Sequence, residues 1–179
     1  MTTELDAGLI GQGAGGEWIQ SGLHRALGNL QPHGWGNQIR NDVVLGYYAR
    51  LEKSLVSAAC ADAGVFGDAT LGTLYTNAAA GLTFRAGRLA SDRPRLYLFG
   101  RLEEKAVGYD ATLQGGLFNR GSPYTLSPSQ LDRLVMRADL GATWDRGPFA
   151  LKFSRSFLGR EFHEGLNHQW GELSLLWRF

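Results

Sequence analysis

Apolar and polar residues alternate along most of this chain, in segments of ten or more residues. In one such segment Leu96, Leu98 and Leu102 alternate with charged and aromatic residues. Strict alternation is typical of a β-strand that has one apolar and one polar face. The pattern predicts eight strands, at residues 4–11, 38–53, 55–66, 70–87, 94–108, 131–145, 148–160 and 168–179.

These predicted strands are long, and their polar faces carry charges. Strands of soluble proteins usually have ~5–6 residues, whereas strands that cross a membrane need ~9–11 tilted residues. A face with this many charges suits a water-filled interior better than a dry core. The alternatives of a soluble β-sandwich or a lipocalin-like barrel are disfavoured for the same reasons. We therefore predict an all-β, antiparallel transmembrane β-barrel, with residues 1–179 as one domain. The charged residues are Arg101, Glu103, Lys105, Arg137, Asp139 and Asp145.

Connection length alternates between the two ends of the predicted strands. Outer-membrane barrels have short periplasmic turns and longer extracellular loops. A periplasmic C-terminus then places the 12–37 connection outside the cell. Residues 170–179 resemble the C-terminal insertion signal of such barrels. The predicted short connections are 53–55, 88–93 and 146–147; the longer ones are 12–37, 109–130 and 161–167, with a brief link at 67–69 on the longer side.

Residues 16–28 are the most convincing helical segment. Gly16 can cap the start, Glu17 places a carboxylate in the first turn, and Gly28 stands where a glycine ends a helix. Gln20 and His24 are four residues apart, so both side chains lie on one face.

An apolar stripe lies beside that polar pair. It consists of Ile19, Leu23, Ala26 and Leu30, and it gives the helix a face to bury. We therefore expect the stripe to be buried, with the polar pair at the edge of the buried face.

Composition excludes several classes of function. The net charge of +1 gives no argument for nucleic acid as a partner. The single cysteine, Cys60, excludes an internal disulfide and a cysteine-type zinc site. No run of ~20 apolar residues is present, and the first residues do not form a signal peptide. The excess of arginine over lysine fits either phosphate binding or a GC-rich genome.

Other polar residues have plainer interpretations than catalysis. His33 and the Gly34-Trp35-Gly36 run favour a tight loop with an interfacial aromatic anchor. Asn37 and Asp42 favour positions at the entry to a strand or on the lumen wall. Arg25 and Arg40 could meet phosphate groups or simply face water or lipid headgroups. The remaining candidates, His163, Glu164 and His168, lie in a loop without strict metal-ligand spacing.

Several stretches together resemble the outer-membrane lipid A 3′-O-deacylase family. Their order and spacing carry the resemblance, which runs from about residue 4 to residue 179. The stretches are 8–11, 15–17, Gln20 with His24, 34–38, 71–73 with Thr76, 81–87, 113–122, Arg155 and Ser156, Glu161 and Phe162, Gln169, Gly171 and 177–179.

The resemblance implies a twelve-stranded barrel, about eight strands of which are in this chain, with a short helix in an extracellular loop. It implies hydrolysis of the ester-linked 3′-acyl chains of lipid A with calcium as cofactor. By position, His24 matches the general base and Gln20 its helical companion. The implied partners are lipid A or lipopolysaccharide, outer membrane lipids and the barrel assembly machinery, and the implied localisation is the outer membrane.

The chain also departs from the family pattern. The family's early Asn-Asp pair and a Thr or Ser on an early strand, which help place calcium, have no counterpart here. Gly36 and Gly115 stand where polar residues are expected. The chain thus matches about the C-terminal two-thirds of the family, without its first strands. The alternative function is a non-catalytic or truncated outer-membrane barrel, either porin-like or structural.

Overall fold

The computed structural model describes residues 1–90 and 94–178. It contains eight antiparallel strands in one sheet, and each strand pairs with the next along the chain. The predicted antiparallel, all-β architecture is confirmed. The strands are β1 (Thr2–Ile10), β2 (Asp42–Ser57), β3 (Ala61–Gly72), β4 (Tyr75–Arg88), β5 (Arg95–Asp110), β6 (Leu134–Arg146), β7 (Phe149–Leu158) and β8 (His168–Trp177).

The two faces of the sheet differ as the alternation predicts. Leu98 is 61% exposed on one face, whereas the side chain of Asp139, on the other face, is 13% exposed. Polar side chains are therefore the more sheltered set, as expected when the sheet curves around them. We call the polar side the inner face and the apolar side the outer face.

Charges on the inner face pair with one another across the strands. The Phe66 ring lies between two guanidiniums, 4.3 Å from that of Arg50 and 4.2 Å from that of Arg101. The Asp68 carboxylate lies 3.5 Å from Arg50 and 3.8 Å from Arg101. Each charge on this part of the wall therefore has an opposite charge beside it, which offsets its partial loss of water.

Phenylalanine rings cover facing glycines on three consecutive strand pairs. Phe66 faces Gly81, and a Cβ added to that glycine would lie 2.5 Å from the ring. The same arrangement occurs at a second pair on the inner face, Phe99 with Gly141, and at one pair on the outer face, Phe84 with Gly100. A glycine covered by an aromatic ring lets a sheet curve without leaving a gap.

Two predicted connections are wrong in position. Residues 53–55 lie inside β2, and the turn is at 58–60, where the N–H of Ala58 donates to the carbonyl of Ala61. Residues 67–69 lie inside β3, and the turn is at 73–74. Asp68 stays within the sheet because its carboxylate lies beside two arginines on neighbouring parts of the inner face.

The long and short connections still alternate, apart from the brief turn at 73–74 on the longer side. One end of the sheet carries 11–41, 73–74, 111–133 and 159–167, and we call it the long-loop rim. The opposite end carries 58–60, 147–148 and the described residues 89, 90 and 94 between β4 and β5. Part of the predicted 88–93 link and the terminal Phe179 of the predicted signal lie outside the described residues.

The sheet is open in the part of the chain that the structure describes. β1 pairs only with β2, and β8 pairs only with β7. Two helices lie in rim connections, α1 (Gly16–Ala26) and α2 (Ala111–Gln114). Neither is long and apolar enough to span a bilayer.

Candidate functional site

Helix α1 is bounded by glycines at both ends. Gly15, one residue before the predicted cap, is the N-cap and has φ 73°. Gly28 has φ 67°; its N–H donates to the carbonyl of Arg25 at 3.3 Å, and that of Asn29 donates to the carbonyl of His24 at 2.8 Å. These two bonds form a Schellman turn, so the predicted end of the helix is confirmed.

The turn brings a backbone carbonyl to the imidazole of His24. Nδ1 of His24 lies 2.6 Å from the carbonyl oxygen of Leu30. A carbonyl oxygen can only accept a hydrogen bond, so in the neutral ring the proton must be on Nδ1. Nε2 is then unprotonated and free to accept a proton from another molecule.

Gln20 and His24 project from neighbouring turns of α1. His24 is half-buried, and Gln20 is exposed. One polar side chain can therefore take a proton while the other, one turn away, can donate or accept a hydrogen bond. The pair thus offers a proton acceptor and a hydrogen-bonding amide, two groups that acid–base chemistry can use.

The predicted burial of the apolar stripe is wrong. No residue of α1 is buried, and Ile19, Leu23 and Leu30 are 61%, 55% and 92% exposed. The start of the helix lies near another part of the connection, where a Cβ on Gly16 would be 3.8 Å from the Trp35 ring. The stripe therefore faces away from the described protein.

The ends of the 11–41 connection close into a narrow neck. Gly11 has φ 90°, and a Cβ there would lie 2.7 Å from the backbone of Arg40 and Asn41. The N–H of Gly13 donates to Oδ1 of Asn41 at 2.7 Å. The neck fixes where the α1 connection leaves the rim and returns to it.

A second rim loop binds to the same place. The buried carboxylate of Asp42 accepts the N–H of Phe118 at 2.8 Å and that of Asn119 at 3.1 Å. Nδ2 of Asn119 donates to the carbonyl of Asn41 at 3.2 Å. The 115–122 segment, which leaves the sheet after β5, is thus anchored to the start of β2.

The anchor leaves no space for a side chain at position 116 of that segment. A Cβ on Gly116 would lie 2.1 Å from Oδ2 of Asp42. The N–H of Arg40 also donates to Oγ of Ser122 at 3.0 Å. We call residues 115–122 the rim strap, because they join the β5 end of the rim to the neck of the α1 connection.

Other candidates lie elsewhere on the rim. His163 Nε2 lies 3.6 Å from Asp132, which also binds Nε of Arg160 at 2.6 Å. His168 begins strand β8 rather than lying in the loop. In residues 1–90 and 94–178, no group of three or more His, Cys, Asp or Glu side chains could hold a metal ion. Glu164 and His168 therefore do not complete a metal site with His163.

Calcium is expected from the family resemblance alone, and the described residues do not offer it an evident ligand set. The sheltered carboxylate at the neck, that of Asp42, is already used by backbone N–H groups. Calcium prefers six to eight oxygen ligands, several of them carboxylates.

Sequence reasoning does not find the strap, although 113–122 is among the stretches that carry the family resemblance. The bonds from Asp42 to Phe118 and Asn119 span 76 and 77 positions. No local pattern links residues so far apart. The one available signal is the pair of glycines Gly115 and Gly116, which indicates an unusual backbone.

Comparisons with known proteins give two findings. The sequence profile of the family described as "Outer membrane protein LpxR" matches residues 1–179. The structure resembles that of LpxR from Salmonella typhimurium, with a TM-score of 0.74 and 20% identity, over 99% of this chain and 66% of that one. No curated protein is significantly similar in sequence. The chain therefore spans just under two-thirds of the length of the matched structure.

Proposed function

Because the chain belongs to the outer membrane protein family LpxR, we propose that it carries the base of a lipid A 3′-O-deacylase. In this proposal His24 and Gln20 act on the ester bond of a 3′-acyl chain. The chain is an outer-membrane protein with a β-rich fold. A lipid of that membrane is therefore the natural class of substrate.

The observation that carries the proposal is the bond between Nδ1 of His24 and the carbonyl of Leu30, at 2.6 Å. It leaves Nε2 as a proton acceptor. An unprotonated ring nitrogen held in this way can act as a general base in ester hydrolysis.

The proposed reaction is ester hydrolysis by activated water. The water oxygen attacks the ester carbonyl carbon while Nε2 of His24 takes the water's proton. The tetrahedral intermediate then collapses, and the sugar oxygen leaves with the proton that His24 returns. Gln20 orients the water or donates to the developing oxyanion. The products are a free fatty acid and lipid A with a free 3′-hydroxyl.

Calcium belongs to this proposal only as an expectation from the family resemblance.

The test is substitution of His24 in protein produced in a Gram-negative outer membrane, with calcium supplied. His24→Ala should lower 3′-deacylation about 10²–10⁴-fold, the usual contribution of a general base. Gln20→Ala should have a smaller effect. Mass spectrometry of extracted lipid A measures the acyl chains lost.

Two variants serve as controls. His33→Ala removes another histidine of the same connection, one that is exposed. Leu30→Ala keeps the backbone carbonyl that binds His24. Both should retain activity, and equal hydrolysis by His24→Ala and the unaltered protein would refute the assignment.

A non-catalytic outer-membrane barrel is the second candidate. It is favoured by the lack of a carboxylate or histidine cluster for a metal within residues 1–90 and 94–178. On this alternative the unaltered protein leaves all 3′-acyl chains in place, even with calcium present.

A further inference from the structure

Helix α1 carries an apolar row beside its polar pair. Ile19, Leu23 and Leu27 follow one another at intervals of four residues and form the row. The row of Gln20 and His24 lies about 100° around the helix from it, since each residue turns the helix by that angle. The two rows therefore point in different directions from one axis.

Nothing in the described protein covers the apolar row. Ile19, Leu23 and Leu27 are 61%, 55% and 64% exposed. Leu30, just after the helix, is 92% exposed. A contiguous exposed apolar surface of this kind usually marks an interaction site.

The adjoining surface of the sheet indicates what covers the row. Leu9, at the end of β1 just before the neck, is 59% exposed on the outer face, and Val43, at the start of β2, is 45% exposed. In an outer-membrane protein this apolar outer face contacts lipid acyl chains. Helix α1 begins six residues after β1 ends, so it lies close in sequence to the end of this lipid-facing surface.

We propose that α1 lies in the membrane plane, with the row of Ile19, Leu23 and Leu27 in contact with lipid acyl chains. A helix with one apolar side and one polar side fits the boundary between acyl chains and headgroups. Glycines with positive φ at both ends, Gly15 and Gly28, set the direction of the chain where it enters and leaves the helix.

This geometry has a consequence for depth, which rests on the proposed function. If the apolar row points into the acyl layer, the row of Gln20 and His24 points sideways, at about the depth of the helix axis. In a bilayer, the ester bonds of acyl chains lie at the boundary between hydrocarbon and headgroups. The position of the helix in the membrane would then place His24 at the same depth as the ester bond that is hydrolysed.

The experiment places a fluorophore on each side of the helix. Cys60 is the one cysteine and lies in the 58–60 turn, so Cys60→Ser provides a background without cysteine. Leu23→Cys and, as a matched control at an exposed position on the polar side, Glu17→Cys are labelled with an environment-sensitive dye. The proteins are reconstituted in phosphatidylcholine vesicles with or without brominated acyl chains, and folding is checked by heat-dependent mobility on gels.

We expect the dye at position 23 to be quenched by brominated lipid and protected from aqueous iodide. The dye at position 17 should be quenched by aqueous iodide and not by brominated lipid. Equal access of iodide to both dyes would overturn the proposal. So would a dye at position 23 shielded from both quenchers, since protein, from further strands or a second copy, would then cover the row.

The quenching result does not depend on catalysis. An inactive protein with a quenched dye at position 23 would retain the lipid contact and refute the proposed function. Full activity with an unquenched dye would support the proposed function and refute the lipid contact. The two proposals can therefore fail separately.

Discussion

At the scale of single residues, Gly116 is the rim glycine with the least room for a side chain. A Cβ there would lie 2.1 Å from Oδ2 of Asp42. That oxygen cannot move away without losing the N–H groups of Phe118 and Asn119. The rim strap therefore requires glycine at position 116 as well as the carboxylate of Asp42.

Substitution at this position should release the strap. We expect Gly116→Ala and Asp42→Ala each to free residues 115–122, because both remove the bonds to the backbone N–H groups. Trypsin cleavage after Arg120, measured on intact cells, should then become faster. Gly121→Ala is the matched control, since a Cβ there meets only Oδ1 of Asn119, at 3.4 Å. Equal cleavage in all three variants would contradict this account of the strap.

At the scale of elements, two of the glycines in α1 and the turn after it have opposite effects on the helix. Gly22 lies within the helix with nothing within 4 Å of an added Cβ, whereas Gly28 has φ 67°. Alanine favours a helix interior over glycine by ~0.5–1 kcal/mol. In the left-handed region an L side chain costs roughly 1–2 kcal/mol.

Amide exchange should therefore respond in opposite directions. Gly22→Ala should slow hydrogen exchange in residues 16–28, and Gly28→Ala should speed it. Mass spectrometry of peptides from the folded protein measures both. The prediction fails if the two variants change exchange in the same direction.

Much of the element structure could be predicted from the sequence. Alternation predicts the eight strands, and Gly28 marks the end of the helix. The turn at 58–60 could not be found, because Ala58-Ala59-Cys60 has none of the usual turn residues. The strap could not be found because its bonds join residues more than seventy positions apart. The burial of the apolar stripe was predicted wrongly, since amphipathicity shows that a face is apolar but not what covers it.

At the scale of the whole molecule, the sheet curves around its charged face and has two free edges among the described residues. In hydrocarbon an unpaired strand edge is costly, because no water satisfies its N–H and C=O groups. Within the membrane, both β1 and β8 therefore need a further strand beside them.

The curvature itself can be tested at the glycines under phenylalanine rings. A Cβ on Gly100 would meet side chains, those of Phe84 at 2.2 Å and Leu140 at 3.0 Å. A Cβ on Gly141 would lie 2.3 Å from the backbone carbonyl of Phe153. We expect both alanine variants to lower the thermal stability of the folded protein.

A second substitution, at the phenylalanine that covers each glycine, should restore thermal stability at one site and not at the other. Phe84→Leu should restore stability to Gly100→Ala, because the obstructing atoms belong to flexible side chains. Phe99→Leu should not restore Gly141→Ala, because the carbonyl remains in place. Heat-dependent gel mobility measures the melting temperature of each variant. Rescue at both sites, or at neither, would be inconsistent with these contacts.

The bond between His24 and Leu30 ends on a main-chain carbonyl rather than on a side chain. In evolutionary terms, the residue at position 30 is free to change, because every amino acid supplies the same oxygen. What must be inherited is the backbone path that places this oxygen, and Gly28 sets that path. A search of distant relatives for a carboxylate partner of the histidine would miss this arrangement, whereas a search for the glycine four residues after the histidine would find it.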